Sequence, residues 1–102
     1  MVYNKLVRDK IPAIIQAQGK NARTCILGDA DYVQALEAKL DEEVREYHQD
    51  KNLEELTDIL EVVYALAENL GHSKEELLEA YEMKHQKRGG FRERIFLISN
   101  EG

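Results

Sequence analysis

Among 102 residues the chain has one proline, one cysteine, two phenylalanines, six glycines and no tryptophan. So few prolines and glycines leave little material for the many tight turns of a β sandwich. The lone Cys25 cannot close an internal disulfide, which fits a reducing compartment. By its type it reads as a small apolar residue, buried or half-buried, rather than as a nucleophile. No apolar run approaches the ~20 residues that cross a bilayer. The opening stretch, MVYNKLVRDKIP, is charged and lacks the apolar segment of a secretion signal, so a cytoplasmic location is expected. What remains is 43% hydrophobic and 33% charged, the composition of a helix-rich, soluble chain. Its length suits a single domain, 1–102, with a modest core.

The formal charge of −6 is unevenly spread. Residues 29–83 hold seventeen acids against four bases, and the two ends together hold three acids against ten bases. An acidic middle repels a phosphate backbone, which argues against a nucleic-acid groove. The basic ends remain suited to something small and anionic.

Hydrophobic spacing predicts four helices. The first starts near Pro12, a residue favoured in a first turn, and stops at Gly19. A second runs from about 31 to 50, with Asp29 as its cap. Its apolar positions Val33, Leu36, Leu40, Val44 and Tyr47 recur at spacings of 3, 4, 4 and 3. A break at 50–52 leads to a third helix, about 53–70, ended by Gly71. Ser73 with Glu76 reads as a capping box for a fourth, reaching about Arg88. The expected architecture is all-α, an antiparallel helical bundle, with one short β pairing between residues 24–27 and 94–99.

Each acid can then be placed on its helix, at ~100° per residue. Glu43 falls at the border of the apolar stripe, and Glu46 lies on the same side one turn along. Glu42 falls nearly opposite, in solvent. On the third helix Glu55 falls inside a wide apolar arc and Asp58 at its edge beside Val62, whereas Glu54 and Glu61 point away. Two pairs at i, i+3 spacing therefore face a neighbour: Glu43 with Glu46, and Glu55 with Asp58. Four carboxylates between two helices must either take up protons or hold cations. Oxygen-only donors suit Mg²⁺ or Mn²⁺ better than zinc. The plainer alternative is a solvated acidic face.

At this point the residues resemble a family. EEVRE at 42–46 followed by EELTD at 54–58 is similar to the E-x-x-E … E-x-x-D motif of the all-α nucleotide pyrophosphohydrolases. These comprise MazG-like enzymes, dimeric dUTPases and phosphoribosyl-ATP pyrophosphohydrolase. YNKLVRDKIP at 3–12 and KRGGFRERIFL at 87–97 resemble the branch of small house-cleaning pyrophosphatases. The resemblance implies an oligomeric, Mg²⁺-dependent helical enzyme that hydrolyses nucleoside triphosphates to monophosphate and pyrophosphate. Carried over by motif, its metal ligands would be Glu43, Glu46, Glu55 and Asp58. The chain departs from the family's late Lys-Phe-x-x-Arg element: Phe91 and Arg94 match, but Gly90 stands at the lysine position. Lys87 or Arg88 could supply that charge from the preceding turn.

The implied chemistry is attack of water on the α-phosphorus, with Glu43 or Glu46 as general base. Lys5, Arg8 and Lys10 at one end of the chain, and Lys84, Lys87 and Arg88 at the other, are candidates for the phosphate contacts. Each has a solvated surface role as its alternative. Asp9 reads as a cap for the first helix, and Arg92 and Arg94 as partners of acids or flanks of a strand. Tyr47, Tyr64 and Tyr81 fit core positions, and His48, His72 and His85 fit the surface. Wide apolar arcs on a short chain imply a homodimer or a higher homo-oligomer. Two other readings compete: a non-catalytic helical oligomerisation or regulatory module, and the histidine-pathway enzyme acting on phosphoribosyl-ATP.

Overall fold

A computed structural model describes residues 3–102, and Met1 and Val2, the first residues of the expected leaderless start, lie outside it. The described residues form four helices and no strand: α1 (Ile11–Ala17), α2 (Asp29–Asp50), α3 (Leu53–Asn69) and α4 (Lys74–Arg88). The all-α expectation holds. The β pairing does not, since residues 24–27 and 94–99 are irregular and mostly exposed. A β-prone run needs a partner within reach, and here neither segment is packed against the other.

Helix termini follow local chemistry. Pro12 sits in the first turn of α1, where its missing N–H is not needed. The cap of α1 is Lys10 with no side-chain bond, so the capping role expected of Asp9 is not realised. Likewise Gly28, not Asp29, is the N-cap of α2, and Asp29 is its first residue. There its carboxylate faces the positive end of the helix dipole without capping it. Between α2 and α3 the chain reverses within two residues. Lys51 adopts left-handed φ 46°, and the Asn52 side chain accepts a bond from the Glu55 N–H. Gly71, at φ +92°, follows α3. Ser73 and Glu76 form the reciprocal capping box of α4.

The tight α2–α3 turn lays these two helices side by side as the main packed unit. α4 makes a smaller contact with α3, and α1 packs on no other helix. The core is correspondingly small. Leu36 on α2 is 2% exposed, and Val62 and Ala67 on α3 are the other buried apolar residues. The molecule is long, 62 × 32 × 22 Å, with a radius of gyration of 17.9 Å. A compact chain of this length has about 13 Å. Tyr47 and Tyr64 are half-buried, but Tyr81 is exposed, contrary to its expected core position, because α4 buries no residue fully. Cys25 is also exposed, not the packed small apolar residue expected of it, because the segment carrying it lies uncovered. The three histidines are exposed as expected.

Candidate metal centre

The α2–α3 hairpin brings two i, i+3 carboxylate pairs face to face. Glu43, Glu46, Glu55 and Asp58 each offer one oxygen, and these four oxygens lie within 4.8 Å of one another. Glu43 is 5% exposed and the other three are half-buried. At that spacing, and at the effective dielectric of a partly covered site, each pair of full charges repels by roughly 3.5 kcal/mol. An arrangement of this kind calls for positive charge.

Part of that charge comes from residues of the chain itself. Lys39, one turn before Glu43, places its Nζ 3.2 Å from Glu43 Oε1 and 2.6 Å from Glu42 Oε2. Burial works against the Lys39 charge, but its bonds to Glu42 and Glu43 outweigh this and hold its pKa above the ordinary value. Lys5 Nζ approaches Glu42 Oε1 at 3.2 Å. Glu42 is therefore half-buried beneath two lysines rather than free in solvent, and its carboxyl is held below the usual range by the Lys39 bond. Arg8 donates from Nη1 to Asp58 Oδ1 at 3.2 Å and from Nη2 to Glu61 Oε1 at 3.0 Å. The N-terminal segment is thus tied along both helices, by Lys5 to α2 and by Arg8 to α3.

Two oxygens are left over. Glu43 Oε2 and Glu55 Oε2 are buried and have no hydrogen-bond partner. Burial pushes the Glu43 carboxyl up from its usual 4.5, with the neighbouring Glu46 adding to the effect and Lys39 opposing it. Glu55 is raised as well, by loss of solvent around its carboxylate and then by the negative charges of Asp50, Asp58 and Glu43. An orphaned buried carboxylate oxygen is costly. Two of them, on residues of one cluster of oxygen donors, fit a hard divalent cation. Opposite oxygens on one octahedral Mg²⁺ stand about 4.2 Å apart, so small side-chain movements would close the cluster on it.

The other expected site residues are placed differently. Lys10 is exposed at the start of α1, and no ion pair holds it among the described residues. Lys84, Lys87 and Arg88 line a shallow hollow of about 270 Å³ on α4, together with Ala80 and Met83. No ion pair joins these three to the acidic cluster, nor holds Arg92 or Arg94, among the described residues. Sequence reasoning passed over Lys39 and Asp50. The signal for Lys39 was present in its i, i+3 and i, i+4 spacing to Glu42 and Glu43.

Comparison with known proteins finds a stretch of 42 residues that is 52% identical to an uncharacterized protein of Mycolicibacterium smegmatis. The match covers 41% of this chain and 43% of that protein, so the chain spans less than half of that relative. No family model and no solved structure matches the chain.

Proposed function

We propose that this protein is a Mg²⁺-dependent nucleoside triphosphate pyrophosphohydrolase, with Mn²⁺ as an alternative cation, acting as a cytoplasmic house-cleaning enzyme. The observation that carries this reading is the convergence of Glu43, Glu46, Glu55 and Asp58, with two buried carboxylate oxygens left unpartnered. Support for a triphosphate substrate comes from the motif resemblance and from the bases beside the cluster. No helix among the described residues is long and apolar enough to cross a membrane.

In this reading the four carboxylates hold the cation. When bound, it supplies positive charge that draws phosphate oxygens together and acidifies water. Glu43 or Glu46 accepts the proton of the attacking water. The water oxygen bonds to the α-phosphorus as the α–β bridging P–O bond breaks, and pyrophosphate leaves with the bonding pair. Lys39 opposes the upward push of burial on the Glu43 carboxyl and holds one of its two oxygens, leaving the other without a partner. Lys5 and Arg8 lie next to the site, bonded to Glu42 and to Asp58 and Glu61. They could turn toward the leaving group, since both bases are themselves exposed and ion pairs open to water on one side are weak. Lys10, Lys84, Lys87 and Arg88 fit as more distant phosphate contacts, from the same chain or from a second copy in a homo-oligomer.

The test is a panel of ordinary and modified nucleoside triphosphates, including phosphoribosyl-ATP, with Mg²⁺ and with monophosphate and pyrophosphate both quantified. The expected result is equimolar release of the two products. Glu43→Gln and Asp58→Asn should each lower turnover at least a hundredfold with the helical circular dichroism retained. A chain that hydrolyses nothing and gains no stability from Mg²⁺ would instead be a non-catalytic helical module.

A further inference from the structure

Lys5, Arg8 and Lys39 all bond to acids of α2 and α3, but they differ in what they touch and how they are held. Lys39 lies on α2 itself, 14% exposed, one turn before Glu43. Lys5 reaches Glu42, which is outside the group of four carboxylates. Among the described residues, Arg8 alone joins a bond to one of the four, Asp58, with a place on an irregular segment. That segment, residues 3–9, is lightly held. Leu6 and Val7 are half-buried, Asn4 has a left-handed φ of 46°, and α1, which follows, packs on no other helix. Among the described residues no backbone hydrogen bond ties residues 3–9 to α2 or α3. The Arg8 side chain, 56% exposed, is bonded at its tip, through Nη1 to Asp58 Oδ1 and through Nη2 to Glu61 Oε1.

We propose, resting on the pyrophosphohydrolase reading, that Arg8 is the counter-ion of Asp58 in the cation-free chain and that a divalent cation displaces it toward the substrate's phosphates. Charge gives the first reason. A guanidinium on a carboxylate and a divalent cation on the same carboxylate repel, so each weakens the other's hold. Shape gives the second. A planar fork that bonds two separate carboxylate oxygens also fits two neighbouring phosphate oxygens, so acids and phosphates compete for the same N–H groups. The bonds given up are weak, because the Arg8 end of both pairs is open to water. Lys39 is unsuited to the exchange, since it is covered and bonded to Glu42 and Glu43 together. The consequence is a coupling between the two ligands. The cation frees Arg8 for the phosphate chain, and by reciprocity the phosphate chain, in drawing Arg8 away, tightens the hold on the cation. Arg8 is thus a positioning residue that makes cation and triphosphate bind together.

The test compares two affinities in the full chain. Mn²⁺ binding without any phosphate is followed by the electron paramagnetic resonance signal of the free ion. Arg8→Gln should bind Mn²⁺ about threefold more tightly, the modest factor that so exposed a pair supports. Arg8→Lys, which keeps the charge, should match the parent. Calorimetry in saturating Mg²⁺ then follows inorganic tripolyphosphate, which carries the phosphate chain alone. Arg8→Gln should bind it about tenfold more weakly or worse, the loss of one charge-assisted contact. Opposite signs in one variant are the signature, since a base that merely braced α3 would weaken both affinities or neither. Weaker or unchanged Mn²⁺ binding by Arg8→Gln, or the same gain in Arg8→Lys, would overturn the proposal and leave the metal centre standing. So would tripolyphosphate binding that the parent lacks or that Arg8→Gln retains in full. A parent that takes up no Mn²⁺ would overturn both the proposal and the metal centre.

Discussion

Replacing Lys39 by methionine isolates the electrostatics of the site without touching any of its four carboxylates. Methionine keeps most of the aliphatic length of the lysine and removes the charge. Glu43, 5% exposed, then loses the Nζ that stands 3.2 Å from its Oε1, and neither of its oxygens retains a bonded partner. Stranding one member of a buried pair costs about 3–5 kcal/mol. The lower end applies because the Lys39 side chain is 14% exposed, so water can reach part of what the substitution uncovers. About 3 kcal/mol at pH 7.5 is therefore expected from urea unfolding followed at 222 nm, at fixed protein concentration and with chelator present. The loss should shrink toward pH 5, because burial already lifts the Glu43 carboxyl and a protonated carboxyl needs no counter-charge. Millimolar Mg²⁺ should restore part of it by replacing the missing positive charge. A variant within 0.5 kcal/mol of the parent at pH 7.5 would refute the reasoning, since Glu43 would then not be an isolated buried charge.

Two further outcomes follow from the same structure. Glu43 and Glu55 have raised pKa values, so their contribution to stability is complete below 4.5 and is lost as pH rises through their folded-state values. Without divalent cations, denaturant midpoints should therefore rise as pH is lowered from 7 toward 5. The trend should reverse below the usual carboxylate range, where Glu42 and Glu76, held low by their bonds to Lys39 and Ser73, take up protons. A midpoint that falls steadily from pH 7 downward would contradict this. Ser73→Ala removes the Oγ that accepts from the Glu76 N–H, leaving the Glu76 carboxylate on the backbone N–H of residue 73, and should cost about 1 kcal/mol, read as a loss of amide protection confined to the first turn of α4.

The helices were readable because their signals are local. The 3-4-4-3 apolar spacing of α2, Pro12 at the start of α1 and the Ser73–Glu76 box each act within a turn or two. The same periodicity separated Glu43, Glu46, Glu55 and Asp58 from the other acids, since the angle around a helix follows from residue number alone. What failed depends on distant parts of the chain. Glu42 was placed in open solvent, yet Lys5, 37 residues away, reaches over it. Residues 24–27 and 94–99 have strand-like composition, but pairing requires a partner at a defined distance, which composition does not specify. Cys25 was read as packed from residue type and Tyr81 from helical spacing, and both lie on parts of the chain that the small α2–α3 core does not cover.

The account rests on the α2–α3 carboxylates acting as a single divalent-cation site. Titration of the chain with Mn²⁺, following the electron paramagnetic resonance signal of the free ion, measures that directly. The prediction is saturable loss of the signal, competed by Mg²⁺, and reduced at least tenfold in affinity by either Glu43→Gln or Glu55→Gln with the helices intact. Equal Mn²⁺ uptake by the parent and both variants, or no uptake by any of them, would contradict the account.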